Sequence, residues 1–122
     1  MTYIAALLVR HGVPVVIDAT ANRRAYRAAA RSAIDRFVEV YVECPMETCV
    51  ARDVKGLYRM ALDGRASNVP GVQDPYEPPD HADIVVSGAR QSPEAAADAI
   101  VDALAARALL IDNCHCAKEN AP

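Results

Sequence analysis

Three short apolar runs, separated by helix-forming segments, constrain the fold of this chain more than any other feature of its sequence. The runs cover residues 13–18, 37–42 and 82–87 and are rich in Val and Ile. Short runs of this composition are typical of strands that are buried on both faces. Because strands that alternate with helices form parallel sheets, the pattern predicts an α/β fold with a parallel sheet and helices on both faces.

Four helical segments surround these runs, at residues 2–10, 22–34, 45–52 and 92–110. Gly12 follows the first segment as a stop signal, and Pro45 lies in the first turn of the third, where proline is favoured. Ser92 precedes Pro93 and is a typical N-cap of the last segment. One domain over residues 1–111 is predicted, and residues 112–122 are predicted to be a disordered tail.

Composition excludes several classes of protein. The chain has 122 residues, of which 52% are hydrophobic, so it is long enough for one domain and too apolar to be disordered throughout. Its net charge of −3 gives no indication of a nucleic-acid partner. The apolar run at residues 1–9 is too short to cross a membrane and lacks the basic leader of a secretory signal. We therefore expect a cytoplasmic protein without a nucleic-acid or membrane partner.

The four cysteines are more consistent with free thiols than with disulfides. Cys44 and Cys49 flank the junction between the second strand and the third helix, in a chain with no recognisable secretory signal. Cys114-His115-Cys116 offers zinc-ligating atoms, but its spacing matches no common structural zinc site and its surroundings are polar. An unstructured tail is the favoured interpretation there, and no metal site is predicted.

A long polar segment, residues 52–79, connects the third helix to the last strand. It is interrupted by Gly and Pro and carries Arg52, Lys55 and Arg59 near its start. Loops of this length with little regular structure are uncommon in compact domains unless they bind a ligand or are disordered. Because the three cations suit an anionic ligand, the segment is predicted to be a functional lid.

Two further sites lie where ligands bind in open α/β sheets, at the carboxyl ends of the strands. Asp18 ends the first apolar run and either orients a metal ion through water or caps the following helix. Arg24 and Arg27 lie at the start of that helix, where guanidinium groups either hold phosphate or sulfate or form a solvated basic face. The residues by themselves leave these alternatives open.

Residues 38–58, with the sequence VEVYVECPMETCVARDVKGLY, resemble the strand, turn, helix and lid of the adenylylsulfate kinase family. Asn68, Gly71 and residues 74–78 (DPYEP) resemble the later part of the lid, and the resemblance extends over residues 4–110. It implies a P-loop kinase-like fold. It also implies the family reaction of sulfate assimilation, in which the γ-phosphate of ATP, bound with Mg²⁺, is transferred to the 3′-hydroxyl of adenylylsulfate.

The resemblance also implies roles for individual residues. Arg24 and Arg27 would hold adenylylsulfate, Arg52 would lie near the adenine of ATP, and Asp18 and Lys55 would be the catalytic residues. A lid segment that closes over the nucleotides would be formed by Lys55, Gly56, Leu57 and Tyr58, and Asn68 and Gly71 would contribute to substrate binding from the later lid.

The chain departs from the family pattern at three places. Thr20-Ala21-Asn22-Arg23-Arg24 replaces the family's Ile-Ser-Pro-x-Arg turn, and Asn68-Val69-Pro70-Gly71 replaces Asn-Phe-Thr-Gly, whose Phe stacks on the substrate adenine. No G-x-x-x-x-G-K-[ST] motif occurs in the chain. The N-terminal strands of the family fold are therefore expected to be missing, with apolar strand edges left exposed. The predicted alternatives are an assembly subunit, which pairs with a second copy or a complementing N-terminal half, and a kinase for another small metabolite.

Overall fold

The computed structural model describes residues 1–109. Within this range, five helices and two strands follow one another in the order α-α-β-α-α-β-α. The elements are α1 (Thr2–Arg10), α2 (Arg24–Ala33), β1 (Val40–Glu43), α3 (Met46–Arg52), α4 (Leu57–Leu62), β2 (Ile84–Ser87) and α5 (Pro93–Ala106).

The two strands pair in parallel, with Val40 opposite Ile84 and Glu43 opposite Ser87. Alternate residues of β2 point to opposite faces, so Ile84 and Val86 are buried while Val85 is exposed. Helix α5 packs against β2, and α1 packs against α2. The predicted α/β architecture with parallel strands is confirmed.

Residues 13–18 do not form the predicted strand and have no regular secondary structure. A strand exists through hydrogen bonds to a neighbouring strand, and no strand in residues 1–109 pairs with this segment. Pro14 also lacks a backbone N–H donor. Val15 packs at the margin of the core, whereas the side chain of Val16 is 97% exposed. The prediction of a strand at residues 13–18 was therefore wrong.

A small core lies between the first two helices. Ala5 and Ala6 of α1 contact Ile34 at the end of α2, and partly buried apolar side chains pack around them, namely Val9, Val15 and Phe37. The side chains of Val40 and Val42 on β1 remain exposed. The expected exposure of apolar strand edges is thus found at β1.

The lid contains more regular structure than predicted. Residues 57–62 form α4, and Pro70 and Asp74 make an isolated bridge. The other elements match the predictions apart from shifted ends; the second strand, predicted at 37–42, is found at 40–43. Ser92 caps α5 as predicted, because its Oγ accepts a hydrogen bond from Ala95 N at 3.1 Å. The tail prediction at 112–122, including Cys114-His115-Cys116, lies outside the described residues.

None of the helices in residues 1–109 is both long enough and apolar enough to cross a membrane.

Candidate functional site

Arg24 joins the start of α2 to the end of the lid. Its backbone N donates to Glu77 Oε2 at 2.8 Å, its Nε donates to Pro78 O at 2.7 Å, and its Nη1 donates to Asp80 Oδ2 at 2.9 Å. The side chain of Arg24 is nevertheless 50% exposed. It therefore remains accessible to an anion from solvent, which is compatible with its predicted role.

Arg27, one turn further along α2, is held by the protein itself. Its Nε donates to Glu39 Oε1 at 2.7 Å, its Nη1 to Ala21 O at 2.5 Å, and its Nη2 to Glu77 O at 2.6 Å. Its guanidinium carbon also lies 5.7 Å from the centre of the Tyr76 ring. Because each guanidinium nitrogen has a partner, the surroundings of Arg27 favour a supporting role over direct contact with a ligand.

Asn22 and Arg23 are site-forming residues that the sequence analysis did not single out. Asn22 Nδ2 donates to Asp74 Oδ2 at 2.6 Å, and Arg23 Nη2 donates to Asp74 Oδ1 at 2.9 Å. Both residues lie in the stretch that departs from the family's Ile-Ser-Pro-x-Arg turn. That departure was the available signal, since Asn22 replaces the proline of the family turn and brings new hydrogen-bonding groups.

Ionic contacts also attach α2 to the region just before the two strands. Arg31 Nη2 donates to Asp83 Oδ2 at 2.6 Å, and Glu39 N donates to the same oxygen at 2.8 Å. Burial on its own raises the pKa of Asp83, but the hydrogen bonds from Arg31 and Glu39 outweigh it, so this pKa lies below its usual value. These contacts fix α2 against the sheet.

Four of the residues predicted to bind nucleotide or substrate lie around one hollow at the start of the lid. The hollow has a volume of about 330 Å³ and is lined by Cys49, Arg52, Asp53, Val54, Lys55, Leu57 and Tyr58. The side chain of Lys55 is exposed, and Tyr58 is half-buried. Burial and the neighbouring Cys49 thiol raise the pKa of Tyr58, so its hydroxyl stays protonated at neutral pH.

Gly56 lies between Lys55 and Leu57 as the N-cap of α4, with a left-handed φ of 68°. Glycine adopts this conformation without steric cost, which allows the chain to reverse directly after Lys55.

A second hollow of about 390 Å³ lies at the carboxyl ends of the two strands. Arg52 Nη1 donates to Gly88 O at 2.6 Å, next to this hollow. The sequence analysis missed Arg90, which lies three residues after the end of the last strand, although a cation near that end of a strand is a usable signal. The lining residues are Glu43, Cys44, Pro45, Ser87, Ala89 and Arg90.

Asn68 and Gly71 shape the later part of the lid. Both have left-handed backbone conformations, with φ of 59° and 87°. A Cβ atom on Gly71 would lie 2.0 Å from Met46 Cε, so a residue with a side chain does not fit there without rearrangement. Gln73 stabilises the turn, since its Nε2 donates to Ala66 O and its Oε1 accepts from Val69 N. Asn68 is exposed, and Gly71 approaches α3 closely.

Asp18 stands apart from the other predicted site residues. Its side chain is exposed in the segment without regular structure, and no hydrogen bond within residues 1–109 joins it to Arg24 or Lys55. The described residues also bring together no group of three or more His, Cys, Asp or Glu side chains that could hold a metal ion. One exposed carboxylate is not a Mg²⁺ site in itself, so we derive no catalytic step through a metal held by these residues.

Comparison with known proteins identifies the family to which this chain belongs. The family model described as adenylylsulphate kinase matches residues 1–87. An adenylyl-sulfate kinase of Synechococcus sp. (strain JA-2-3B'a(2-13)) is 42% identical over 105 residues, which are 86% of this chain and 60% of that protein. The adenylyl-sulfate kinase of Myxococcus xanthus is 39% identical over 112 residues, or 88% of this chain and 60% of that protein. The chain thus spans about 60% of the length of these relatives.

A solved structure resembles the fold closely. It is the Mycobacterium tuberculosis APS kinase CysC in complex with AMPPNP and APS, which matches with a TM-score of 0.76 and 32% sequence identity. The match covers 85% of this chain and 62% of the other. The fold is therefore P-loop kinase-like, as predicted, and the chain belongs to the adenylylsulfate kinase family.

Proposed function

We propose that this chain forms the acceptor and lid part of an adenylylsulfate kinase. The reaction transfers the γ-phosphoryl group of ATP to the 3′-hydroxyl of adenylylsulfate. The observation that carries this proposal is the grouping of Arg52, Lys55, Leu57 and Tyr58 around one hollow of about 330 Å³, in a chain that belongs to this family. Two cations and two amphipathic or apolar side chains suit a nucleotide, which combines phosphates with a flat ring.

Lys55 is the catalytic residue of this proposal. In the reaction, the 3′-oxygen of adenylylsulfate forms a bond to the γ-phosphorus while the bond from that phosphorus to the oxygen of the leaving ADP breaks. The proton of the 3′-hydroxyl is released. Negative charge spreads over the phosphoryl oxygens in the transition state. The Lys55 ammonium, a compact charge on a long exposed side chain, can follow that charge, as electrostatic catalysis requires.

Among the remaining predicted residues, Arg24 and Arg52 take binding roles. Arg24 offers a half-exposed guanidinium to the sulfate or phosphate of adenylylsulfate, and Arg52 lies near the ATP adenine. Arg27 supports the end of the lid through its hydrogen bond to Glu77 O. Gly56, Asn68 and Gly71 give the lid its shape. Asp18 takes no part in this proposal, because its exposed side chain lies apart from the other predicted residues.

We expect these 122 residues alone to have negligible kinase activity. Positioning and electrostatic stabilisation supply most of the catalysis in phosphoryl transfer. The backbone cradle for ATP phosphates requires a G-x-x-x-x-G-K-[ST] motif, which does not occur in this sequence. A coupled assay for ADP release tests this expectation, and a turnover rate typical of kinases would contradict it.

The direct test of the proposed function is isothermal titration of the purified chain with adenylylsulfate. Saturable binding that is weakened by both Arg24→Ala and Lys55→Ala is the expected result. Arg10→Ala, at the exposed end of α1, is the matched control and should bind like the wild type. A folded protein that shows no saturable binding at millimolar adenylylsulfate would contradict the proposal.

A second candidate function is assembly with another polypeptide. The exposed valines at β1 and in residues 13–18 favour it, because Val42 is 57% and Val16 97% exposed. The partner would be a second copy or a polypeptide with the P-loop half. Size-exclusion chromatography with light scattering distinguishes the two functions, since a stable monomer in the presence of that half would contradict assembly.

The substrate itself is a further alternative. Val69 and Pro70 occupy the positions of the family's Phe-Thr, so the substrate ring lacks its usual aromatic partner, and another small hydroxyl-bearing metabolite is the competing substrate. A thermal-shift panel of such metabolites compares them directly, because a ligand raises Tm according to its affinity for the folded state.

A further inference from the structure

The turn that carries Lys55 is closed on both sides by a single residue, Asp53. The main-chain oxygen of Asp53 accepts a hydrogen bond from Gly56 N at 2.9 Å. Its side chain reaches further, since Oδ1 accepts from Tyr58 N at 3.1 Å and Oδ2 accepts from Arg59 N at 3.0 Å. Lys55 lies between these bonded groups. The backbone before and after the lysine is therefore fixed by one residue.

Helix α4 depends on this carboxylate because its own N-cap is Gly56, which has no side chain. The first N–H groups of a helix lack partners within the helix and need an acceptor from outside. Asp53 provides one from three residues upstream, and its negative charge also suits the positive end of the helix dipole. The hydrogen bonds from the backbone of Arg59 and Tyr58 lower the pKa of Asp53, so the group is ionised at neutral pH.

Lys55 has few other constraints on its position. Its side chain is exposed and makes no ion pair with a carboxylate in the described part of the chain, and the preceding Val54 is 95% exposed. Neither residue is held by packing. The direction of the Lys55 side chain must therefore come from the shape of its backbone turn.

We propose that Asp53 is a positioning residue for the proposed phosphoryl transfer: its carboxylate holds the turn so that Lys55 faces the hollow between Arg52 and Tyr58. Asp53 acts through Lys55 and does not contact the nucleotide. The consequence for ligand binding rests on the proposed function. The positioning of the turn itself does not, so the two are tested by separate measurements.

The first measurement is amide hydrogen exchange, followed residue by residue in the 122-residue protein. Asp53→Asn replaces one carboxylate oxygen by an NH₂ group, which cannot accept the hydrogen bond from Tyr58 or Arg59. The remaining carbonyl oxygen can accept from only one of the two, so exchange at the other amide is expected to accelerate by about tenfold or more, as for the loss of a hydrogen bond to a charged group. Asp63→Asn makes the same chemical change at the other end of α4, where Asp63 pairs with Arg65, and should leave both amides unchanged.

The second measurement is the Kd of adenylylsulfate for the wild type, Asp53→Asn, Lys55→Ala and the double variant. Asp53→Asn should weaken binding by about as much as Lys55→Ala. The double variant should be no weaker than Lys55→Ala, because a residue that acts only through Lys55 has no effect once the lysine is absent. If the double variant instead loses affinity by the sum of the two single losses, the link between Asp53 and Lys55 is overturned.

Each remaining outcome also decides the inference. Unchanged exchange at Tyr58 and Arg59 in Asp53→Asn would overturn the positioning role, whether or not adenylylsulfate binds. Accelerated exchange in a wild-type protein that binds no adenylylsulfate would support the positioning of the turn and contradict the proposed function. If Asp53→Asn does not fold, Asp53→Ser also keeps a single acceptor oxygen, on a shorter side chain, and faster exchange at one or both amides is then the expected result.

Discussion

Arg27 and Glu39 form the most buried ion pair in the described part of the chain, with Nε 2.7 Å from Oε1 and side chains only 11% and 14% exposed. The pair connects the middle of α2 to the residue just before β1. The remaining two guanidinium nitrogens of Arg27 bond to backbone oxygens of Ala21 and Glu77. One side chain therefore links the start of α2, the approach to the sheet and the end of the lid.

Replacing Arg27 by Ala is expected to destabilise the protein strongly. It leaves the Glu39 carboxylate without its closest partner and frees two backbone oxygens, and breaking one side of such a pair costs about 3 kcal/mol of the free energy of unfolding. Urea denaturation measures this loss. Arg65→Ala removes a pair between two exposed side chains and should change stability by about 0.5 kcal/mol or less. Equal effects of the two variants would contradict a structural role for Arg27.

Gly71→Ala should destabilise the lid through two separable effects. Its φ of 87° is unfavourable for alanine, and its new Cβ would lie 2.0 Å from Met46 Cε. The backbone effect costs about 1 kcal/mol. Gly12→Ala is the matched control, because Gly12 has a similar φ of 77° with nothing within 4 Å of its Cβ position. Urea denaturation should therefore find a larger loss for Gly71→Ala, and adding Met46→Ala should recover part of the difference.

Acidification is expected to weaken the attachment of α2 through Asp83. The folded-state pKa of Asp83 lies below its ordinary value. A depressed carboxyl pKa contributes stability that is fully present above the unfolded-state pKa of about 3.9 and is lost as the pH falls through the folded-state pKa. The free energy of unfolding should thus decline below about pH 4, and urea denaturation at a series of pH values measures the slope.

Asp83→Asn should make that slope shallower, since the variant has no carboxyl group to titrate at this position. Asp102→Asn, on the exposed side of α5, should keep the wild-type slope. If the slope is the same in all three proteins, groups other than Asp83 cause the loss of stability in acid.

Asp80→Asn should tighten the binding of an anionic ligand to Arg24. The Asp80 carboxylate lies 2.9 Å from Arg24 Nη1 at a partly exposed position, where it competes with an incoming sulfate or phosphate group. Removing its charge is expected to lower the Kd of adenylylsulfate by a factor of about three, the size of effect that an exposed ion pair supports. Titration calorimetry measures this change, and weaker binding would instead mean that Asp80 orients Arg24 for the ligand.

The fold was predictable from the sequence where the signals were local. The helical spacing in residues 2–10 and the Ser92-Pro93 start of α5 were identified correctly, because a helix satisfies its hydrogen bonds within a short segment. The prediction of a strand at residues 13–18 was wrong for the opposite reason, because a strand depends on a neighbouring strand that the segment itself does not contain. Helix α4 was missed because Gly56, directly before it, resembles a loop signal. The carboxylate that accepts hydrogen bonds from its first turn belongs to Asp53, three residues before Gly56.

The candidate site was predictable only in part, for a similar reason. Sequence analysis identified Arg24 and Arg27 as cations at a helix start, but their partners at Glu77, Pro78 and Asp80 lie 50 or more residues later and were not recognised. Partner choice decides whether a guanidinium is open to a ligand or occupied by the protein. That distinction separates Arg24 from Arg27, and their sequence context does not contain it.

The hydrogen bonds between α2 and the end of the lid also have a consequence for how the chain folds. They join residues that are 50 to 56 positions apart, and Glu39 N bonds to Asp83 across 44 positions. Closing loops of this length costs entropy before any such bond forms, whereas the helices need only nearby residues. The helices should therefore form early and the Arg24 and Arg27 cluster late, which makes the proposed ligand-binding side of the molecule the last part to reach its native arrangement.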